Sequence, residues 1–414
     1  MNGHAAEGPI VVAGAGQAGF QVALSLRDKG FTGPLTLVGE EHGLPYQRPP
    51  LSKAYLAGAA ERGAVTLRAQ EFFDDRGIEL RHGHPAVAID TGARALRLAS
   101  GAALEYAHLV LATGSRARVL DLPGTGLDGV LLLRTLADAD TLRTRLREPA
   151  RVVIVGGGFI GLETAAFAAA AGHSVTVVEG LDRVLARAVA PELSEHVAAV
   201  HRHHGCAVLL GRGVTAMHGD GEGRVSAVEL TGGERIEADV VLVGAGVLPN
   251  VELAATAGLP VDDGIVVDER LRTADPRISA IGDCASYPSP YAGCRTRLES
   301  VQNAVDQARF LAGSLTGEEH GPYRAVPWFW THQFDMKIQM AGIGGPGDER
   351  VVRGDPAQGR FSVFRFDGDR LVRVESVNRM PDHMAARRLL AGERRPGQEQ
   401  VADPDFDLKA FAAG

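Results

Sequence analysis

The chain has 414 residues and a formal net charge of −8, and 45% of its residues are apolar and 23% charged. This ordinary globular composition favours two or three domains, and the 52 glycines show no collagen-like period and are therefore expected in tight turns. The acidic balance argues against nucleic acid as the main partner, and no apolar run reaches the ~18 residues that a membrane-spanning helix needs.

The amino terminus and the cysteines predict the cellular compartment. The chain lacks a basic start, and its first apolar run, residues 10–13, leads directly into glycines, so no signal peptide is expected. Three cysteines, Cys206, Cys284 and Cys294, form no CxxC pair and leave an odd count. A reducing cytoplasm is therefore predicted.

The first motif is a glycine-rich turn between a short strand, residues 10–13, and a helix. It has the spacing Gly14-x-Gly16-x-x-Gly19. The first glycine allows the tight turn, the second lets a pyrophosphate approach the backbone, and the third lets the helix pack closely on the strand. The next predicted strand leads to Glu40, whose carboxylate can accept hydrogen bonds from a ribose. The segment is therefore predicted to bind a nucleotide at the start of the helix.

The same pattern occurs a second time. The strand over residues 151–155 precedes Gly156-x-Gly158-x-x-Gly161, and the following strand ends at Glu179. Two such fingerprints predict two dinucleotides. Because an acid at the end of the second strand favours the free 2′-hydroxyl of NAD and repels the extra phosphate of NADP, NADH is the predicted reductant.

The remaining elements are predicted from hydrophobic period and turn residues. Segments 89–98 and 104–111 alternate like parts of a sheet, and strands 361–366 and 371–377 flank an Asp-Gly-Asp turn as an antiparallel hairpin. Further strands are predicted over 35–38, 109–114, 175–178, 240–246, 265–267 and 278–283, and helices over 162–171, 298–311 and 382–391.

Six motifs in order carry a family resemblance that covers nearly the whole chain. They lie at residues 14–19, 44–53, 112–114, 156–163, 280–283 and 327–330. The sequence resembles the FAD-dependent ferredoxin reductases that serve bacterial cytochrome P450 and Rieske oxygenase systems, within the glutathione-reductase-like flavoproteins. The resemblance implies an α/β fold with two Rossmann-like dinucleotide-binding domains, one for FAD and one for NAD, and a C-terminal α+β domain.

The resemblance also implies domain boundaries and site residues. The FAD-binding domain is expected in two parts, 1–117 and 247–326, with the NAD-binding domain at 118–246 and the C-terminal domain at 327–414. The residues expected to bind FAD are Gly14, Gly16, Gln17, Ala18, Gly19, Glu40, Arg48, Pro49, Lys53, Thr113, Gly114, Asp283, Glu299, Val301, Gln302 and Trp330. Those expected to bind NADH are Gly156, Gly158, Phe159, Ile160, Gly161, Glu163, Glu179, Arg187 and Gly246.

Three residues are expected to be catalytic. Lys53 is unusual because the chain has only 4 lysines against 39 arginines, and a lysine near the flavin would stabilise negative charge on its reduced form. The resemblance gives it Glu163 as partner. The alternatives are a surface lysine and an acid that merely favours the helix dipole. Trp330, in an aromatic cluster that the sequence alone would place in a core, is implied to lie by the flavin.

Other assignments have competing interpretations. Arg187 is implied to contact the adenosine ribose or phosphate, with Arg183 as its competitor. Asp283 is implied to meet the ribityl chain of FAD, and the alternative is an N-cap for the next helix. The chain departs from the family after Trp330, where Thr331-His332-Gln333 replaces the usual acid and glutamine.

Cysteine and histidine chemistry is not expected. Disulphide reductases of this superfamily carry a redox pair with its first cysteines near residues 46–51, where this chain has none. Cys284 is predicted to be a packed small residue. His201, His203 and His204 are predicted to form a solvated cluster, and no metal site is expected.

The sequence therefore predicts an NADH:ferredoxin oxidoreductase, in which NADH gives a hydride to FAD and FAD passes single electrons to a [2Fe-2S] ferredoxin. The ferredoxin is expected to dock near the flavin edge and the C-terminal domain, on basic residues chosen from Arg309, Lys337, Arg379, Arg387 and Arg388. A monomer is expected. The alternatives are a rubredoxin reductase and a redox-sensing flavoprotein of the apoptosis-inducing-factor type, whereas an NADH oxidase or peroxidase would need a catalytic cysteine.

Overall fold

A computed structural model describes residues 8–414 of the chain. The first seven residues, with the amino-terminal start considered for a signal peptide, lie outside the described residues. The described chain forms two compact units. The first unit comprises residues 8–47, 66–116 and 248–329, and the second comprises residues 48–65, 117–247 and 330–414.

The strands of the described chain are numbered from the amino terminus. They are β1 Ile10–Ala13, β2 Leu35–Gly39, β3 Ile78–His82, β4 Ala86–Asp90, β5 Ala95–Leu98, β6 Ala103–Glu105, β7 His108–Leu111, β8 Ser115–Ala117, β9 Val130–Leu131, β10 Arg151–Val155, β11 Ser174–Glu179, β12 Ala207–Leu210, β13 Val214–Gly219, β14 Val225–Leu230, β15 Arg235–Glu237, β16 Val240–Val243, β17 Val247–Pro249, β18 Ile265–Val266, β19 Ile278–Ala280, β20 Ala285–Ser289, β21 Cys294–Thr296, β22 Trp328–Gln333, β23 Met336–Gly342, β24 Glu349–Asp355, β25 Arg360–Asp367 and β26 Arg370–Val377.

The α-helices are numbered in the same way, and short 3₁₀ turns lie at Pro49–Ser52, Gly282–Cys284 and Pro356–Gln358. They are α1 Gln17–Asp28, α2 Arg62–Val65, α3 Gln70–Asp75, α4 Leu136–Arg145, α5 Phe159–Ala170, α6 Pro191–His203, α7 Glu252–Thr256, α8 Val301–Leu315, α9 Met380–Ala391, α10 Gln398–Ala402 and α11 Leu408–Ala413.

The first unit is built on a five-stranded parallel sheet in the order β3-β2-β1-β7-β19. Every residue of β1, β2, β7 and β19 is buried, as expected for a parallel sheet covered on both faces. Since parallel strands end at one edge, the segments that follow β1, β2, β7 and β19 gather there. These segments contain Gly14, Glu40, Thr113 and Asp283.

The second unit contains a parallel sheet of the same kind, in the order β12-β11-β10-β16-β9. Its central strand, β10, leads into the second glycine turn, and its neighbour β11 ends at Glu179. The predicted strands at 151–155 and 175–178 are therefore confirmed, and the turn and the acid meet at one edge of the sheet as the fingerprint requires.

An antiparallel sheet forms the carboxyl-terminal part of the second unit, in the order β22-β23-β26-β25-β24. Strands β25 and β26 form the predicted hairpin. Helix α9 packs on β23 and β26 and begins two residues before the predicted start. The change after residue 327 to antiparallel strands is confirmed.

Two segments predicted as continuous sheet are each interrupted. Residues 89–98 divide between β4 and β5, and residues 104–111 divide between β6 and β7. The first break occurs because the Asp90 carboxylate accepts the Ala93 N–H at 2.9 Å and closes a turn over Asp-Thr-Gly. This turn signal was present in the sequence, and the alternation of apolar residues masked it.

A helix can cross a membrane only if it is long and apolar enough. None of the helices between residues 8 and 414 is both long enough and apolar enough to cross a bilayer.

His108 gives the first unit a pH-dependent stability. Burial lowers its pKa to about 4, while its Nε2 lies 3.0 Å from the Ser279 hydroxyl and joins β7 to β19. The unfolded chain takes up this proton near pH 6.5 and the folded chain does not, so stability falls as the pH decreases through this interval. We expect a loss of about 2 kcal/mol in unfolding free energy between pH 7 and pH 5 from this residue.

The measurement is denaturant unfolding at both pH values for the wild type, for His108→Gln and for His203→Gln, an exposed control. The His108 variant should lose that part of the pH dependence and the control should keep it. An identical pH dependence in all three proteins would contradict the assignment.

Candidate functional site

The glycine turn after β1 brings backbone atoms together in a way that only glycine allows. Gly14 has a φ of +117°, and a Cβ there would lie 2.1 Å from the carbonyl oxygen of Ala112. A Cβ at Gly19 would lie 1.8 Å from the carbonyl oxygen of Gly14. At Gly16, by contrast, a Cβ would meet no described atom within 4 Å. Gly14 and Gly19 are therefore required by the fold, whereas the space at Gly16 is open to a ligand.

The turn after β10 repeats this division. Gly156 has a φ of +105°, and a Cβ there would lie 2.5 Å from the carbonyl oxygen of Gly244. A Cβ at Gly161 would lie 2.4 Å from the carbonyl oxygen of Gly156, whereas at Gly158 the nearest atom would be 4.0 Å away. We call residues 14–19 the first cradle and residues 156–161 the second cradle.

Both cradle helices begin without a side-chain cap. Gly16 and Gly158 are the N-cap residues of α1 and α5, and neither first turn contains an acid. Side-chain caps are present at α4, from Thr135, and at α8, from Ser300, whereas α3, α6, α7 and α9 also begin without one. The first N–H groups of α1 and α5 are thus left for an anionic ligand, and they suit the pyrophosphate of a dinucleotide.

Asp283 lies beside the first cradle. A Cβ at Gly282 would lie 2.9 Å from the Cβ of Ala18, so the 282–284 turn approaches the start of α1 closely. Ser115 donates a hydrogen bond to Asp283 at 2.9 Å. Because a strand follows this turn, Asp283 does not cap a following α-helix, and that alternative is wrong.

Thr113 and Gly114 follow β7 and lie at the same edge of the parallel sheet as the first cradle. The Thr113 hydroxyl donates to the Asn250 carbonyl at 2.6 Å, and the Asn250 amide donates back to the Thr113 carbonyl at 2.9 Å. Gly114 has a φ of +67° and open space around its Cα. Asn250 fixes this turn and had not been singled out in the sequence, where it follows a proline at the start of a long excursion.

The start of α8 differs from its predicted position. The helix begins at Val301 with Ser300 as its cap, so Glu299 lies outside it, exposed and paired with Arg297 at 2.6 Å. Gln302 is buried, and its carbonyl oxygen accepts the Trp328 N–H at 3.0 Å. Of the residues predicted for this segment, Gln302 therefore has a role in packing, and Glu299 faces solvent.

Glu179 is held against the second cradle. Its carboxylate accepts the Gly157 N–H at 2.7 Å and the Leu181 N–H at 2.8 Å. The negative charge is thus fixed beside the turn, where it would repel a ribose 2′-phosphate. Gly246, after β16, has a φ of +92° and no atom where its Cβ would be.

The structure distinguishes Arg183 from Arg187. Arg183 donates to the carbonyl oxygens of Val189 at 2.8 Å and Ala186 at 2.6 Å, so its guanidinium serves the loop itself. Arg187 is exposed and makes no hydrogen bond or ion pair with any residue between 8 and 414. Of these two arginines, Arg187 is therefore the one whose guanidinium donors are available to a ligand.

Lys53 and Glu163 meet in the second unit. The Lys53 ammonium lies 2.5 Å from Oε2 of Glu163, whose residue is only 4% exposed. Ser52 donates to the same oxygen at 2.5 Å, and Thr331 donates to Oε1 at 2.6 Å. An ammonium and two hydroxyls thus compensate one buried carboxylate, which fixes the ammonium in place. The sequence marked Thr331 only as part of the departure from the family motif, and Ser52, which adjoins Lys53, was given no role of its own.

A chain of hydrogen bonds extends from Glu163 into the protein. Gln333 donates to the Thr331 hydroxyl at 3.3 Å, and His201 Nε2 lies 3.0 Å from the Gln333 carbonyl oxygen. His201 is fully buried, and burial lowers its pKa. The prediction of a solvated histidine cluster is therefore wrong for His201, because the apolar stripe of α6 carries it inward. Only its neighbours in the cluster are exposed.

The departure from the family motif places an imidazole near this ion pair. His332 is exposed, and its pKa is lowered by partial burial and by the charges of Lys53 and Lys337. Trp330, like Trp328, is half-buried and not part of a core. Arg48 donates to the Arg134 carbonyl oxygen at 2.7 Å, and Pro49 opens the turn that leads to Lys53.

Between residues 8 and 414, the cysteines form no disulphide, and the histidines, cysteines and acids form no metal centre. All three cysteines are unpaired, and the prediction that Cys284 is packed is confirmed by its full burial. Burial also raises the pKa of the Cys284 thiol. Within residues 8–414, no group of three histidine, cysteine or acidic side chains could hold a metal ion.

Comparison with known proteins agrees with this geometry. The family model described as pyridine nucleotide-disulphide oxidoreductase matches residues 8–308, and the model described as reductase C-terminal matches residues 328–412. This chain belongs to the pyridine nucleotide-disulphide oxidoreductase family. The prediction of two dinucleotide-binding folds and a separate reductase domain is confirmed.

Three relatives of this oxidoreductase are similar over 94% or more of their length. Rhodocoxin reductase of Rhodococcus erythropolis is 52% identical, with 98% of this chain and 94% of that protein covered. The ferredoxin reductase for the CYP199A2 system from Rhodopseudomonas palustris is 48% identical, with a TM-score of 0.95 and coverage of 98% and 100%. Putidaredoxin reductase in its covalent complex with putidaredoxin is 38% identical, with a TM-score of 0.95 and 99% of each chain covered.

The open space at Gly16 and Gly158 separates ligand binding from folding in this oxidoreductase. Because neither Cβ would clash with the protein, Gly16→Ala and Gly158→Ala should fold normally. We expect Gly16→Ala to purify with little FAD, and Gly158→Ala to keep FAD while its dissociation constant for NAD⁺ rises about 10-fold or more. The checks are the visible spectrum of the purified protein and calorimetry with NAD⁺. Normal FAD content in Gly16→Ala would contradict the assignment.

Proposed function

We propose that this oxidoreductase is an NADH-dependent ferredoxin reductase, which passes electrons from NADH through FAD to a [2Fe-2S] ferredoxin that supplies a cytochrome P450 or Rieske oxygenase. The observation that carries this is the pair of glycine cradles in a chain whose cysteines are all unpaired. Two dinucleotides provide for two-electron chemistry, and no disulphide is present to receive the electrons. The similarity to reductases of oxygenase systems, over nearly the whole chain, supports a ferredoxin as the protein that receives them.

FAD is assigned to the first cradle and NADH to the second. The FAD, when bound, supplies the conversion of a two-electron donor into single electrons. The residues that hold it include Gly16 on the open side of the first cradle, with Glu40, Asp283 and Gly114 at the same sheet edge. Their placement in one unit, after four neighbouring parallel strands, supports this assignment.

The second cradle selects NADH over NADPH through Glu179. Its two hydrogen bonds to backbone N–H groups hold the carboxylate beside the turn, where a 2′-phosphate would bring a second negative charge. Arg187, with donors that no described residue uses, binds the ribose or phosphate of the nucleotide. Arg183 stabilises the loop.

The Lys53–Glu163 pair acts in the hydride step. An ammonium stabilises the negative charge that reduction places on the flavin, and the buried carboxylate holds that ammonium in position. Glu163 lies on α5, the helix that the second cradle opens, so the pair belongs to the nucleotide-binding end of this helix. Thr331 and Ser52 orient the carboxylate by donating to it. We propose that Trp330 is the aromatic side chain beside the flavin.

The Lys53 role is tested by rapid mixing with NADH. Lys53→Met should retain FAD and slow flavin reduction by about 10²-fold, because the ammonium is lost at the site of developing charge. Thr331→Val, which removes one donor to Glu163, should slow reduction by about 10-fold. Lys29→Met, at the far end of α1, is the control and should react at the wild-type rate. An unchanged rate in Lys53→Met would exclude the role.

The ferredoxin docks on the antiparallel sheet of the second unit. Lys337 and Arg360 line a depression of about 520 Å³ that contains one acid, Asp335, and the exposed Met380. Arg379 is partly neutralised by its ion pair with Asp382 at 2.6 Å and contributes less charge than the sequence suggested. A small acidic ferredoxin suits such a basic surface with an apolar contact.

Electron delivery is tested by NADH-dependent reduction of cytochrome c with and without an added [2Fe-2S] ferredoxin. We expect strong stimulation that weakens as salt rises, because the screening length shortens from about 30 Å at 0.01 M to 10 Å at 0.1 M. Lys337→Glu should raise the KM for ferredoxin about 10-fold at low salt. Lys29→Glu is the matched control, and direct reduction of ferricyanide should be unchanged in both variants.

The alternatives are outcomes of the same assay. Stimulation by rubredoxin alone would make this a rubredoxin reductase. Flavin reduction by NADH without stimulation by either iron–sulphur protein would favour a redox sensor. We place the protein in the cytoplasm as a monomer, and retain the boundaries 1–117, 118–246, 247–326 and 327–414 for its functional domains.

A further inference from the structure

Strand β26 of the antiparallel sheet carries two charged side chains that are mostly withdrawn from water. Glu375 is fully buried, and the Arg373 side chain is only 15% exposed. Arg373 Nε lies 2.8 Å from Glu375 Oε1 in an ion pair, and Arg365 approaches the same oxygen at 3.5 Å. Burying such charges costs several kcal/mol per ion, so the pair requires further partners to be tolerated.

Those further partners belong to the loop that carries Arg187. The second carboxylate oxygen of Glu375 accepts the Ala190 N–H at 2.7 Å, and an outer nitrogen of Arg373 donates to the Ala188 carbonyl oxygen. The two side chains thus hold the backbone at the first and third residues after Arg187. The antiparallel sheet therefore holds this loop through hydrogen bonds to charged groups. Such hydrogen bonds are stronger than those between neutral groups.

The other end of the loop is tied to the second cradle. The Leu185 N–H donates to the Gly157 carbonyl oxygen at 2.9 Å, and Ser194 donates to the Val184 carbonyl oxygen at 2.6 Å. Leu185 has a φ of +52°, a strained conformation for a residue with a side chain. Such strain persists only where the surroundings hold it, and the cradle and β26 hold this loop on opposite sides of Arg187.

We propose that Arg373 and Glu375 are positioning residues for NADH, and that the antiparallel sheet sets nucleotide affinity by holding the Arg187 loop in its binding conformation. This inference rests on the proposed NADH site. A preordered loop does not have to lose conformational freedom when the nucleotide arrives, and a released loop does. We call the Arg373–Glu375 ion pair, with its hydrogen bonds to the loop backbone, the clamp. The neighbouring Arg183 cannot replace the clamp, because its hydrogen bonds lie within the loop and move with it.

The test removes the ion pair and places apolar side chains in the space that it occupied. Arg373→Met combined with Glu375→Leu replaces the ion pair by apolar side chains, a change that buried pairs often tolerate. Arg373→Lys is a milder variant that keeps the charge and loses the fork that reaches Ala188. The control is Arg353→Met on β24, because Arg353 is also buried and also donates to backbone carbonyls, but to those of residues 401–406.

Two measurements are made on the purified FAD-bound proteins. Calorimetry should show a dissociation constant for NAD⁺ about 10-fold higher in the clamp variant and unchanged in Arg353→Met. Hydrogen exchange without nucleotide should be faster at residues 185–190 in the clamp variant, although FAD content and global unfolding remain normal. Unchanged affinity and exchange in a folded clamp variant would overturn the proposal.

A double-mutant cycle with Arg187→Gln separates this inference from the proposed function. If the clamp acts through Arg187, adding the clamp substitutions to Arg187→Gln should raise the dissociation constant only slightly further. Independent, multiplicative effects would overturn the clamp and leave the NADH site intact. If neither Arg187→Gln nor Gly158→Ala changes the affinity for NAD⁺, the proposed NADH site itself fails, and the clamp fails with it.

Discussion

Both nucleotide-binding units depend on one close approach of backbone to backbone. At Gly14 and at Gly156 the chain leaves a buried strand and passes so near a neighbouring carbonyl that a Cβ would overlap it. Only this turn lets the helix start directly above the strand end, with bare N–H groups pointing into open space. The first N–H groups of α1 and α5, which would hold a dinucleotide, take their positions from these two turns.

The second unit adds two buried carboxylates to this scaffold. Glu163 is satisfied by an ammonium and two hydroxyls, and Glu375 by arginines and a backbone N–H. Each would be costly alone, and each is tolerated because every strong acceptor has a donor. In both cases the carboxylate joins segments that are far apart in the chain, and the charge is what holds those segments in one arrangement.

The sequence predicted the framework well because its signals are local. The parallel strands at 10–13 and 151–155, the glycine turns, the hairpin at 361–377 and the change to antiparallel structure all follow from period and turn residues within short windows. Prediction from the sequence failed where one local pattern is compatible with two structures. Alternating apolar residues at 89–98 concealed an Asp90 turn, and the start of α8 moved to Val301 because Ser300 is the better cap.

The sequence by itself determined the fold class, the two nucleotide cradles, the family and the absence of a redox disulphide, because glycine spacing and cysteine positions are properties of the chain alone. Only the tertiary structure decided which polar side chains meet. It joined Thr331 and Ser52 to Glu163, buried His201 at the end of a hydrogen-bond chain, assigned Arg183 to the loop and left Arg187 unpartnered within the described chain. The reason is that burial and pairing depend on contacts between distant segments, which no local period encodes.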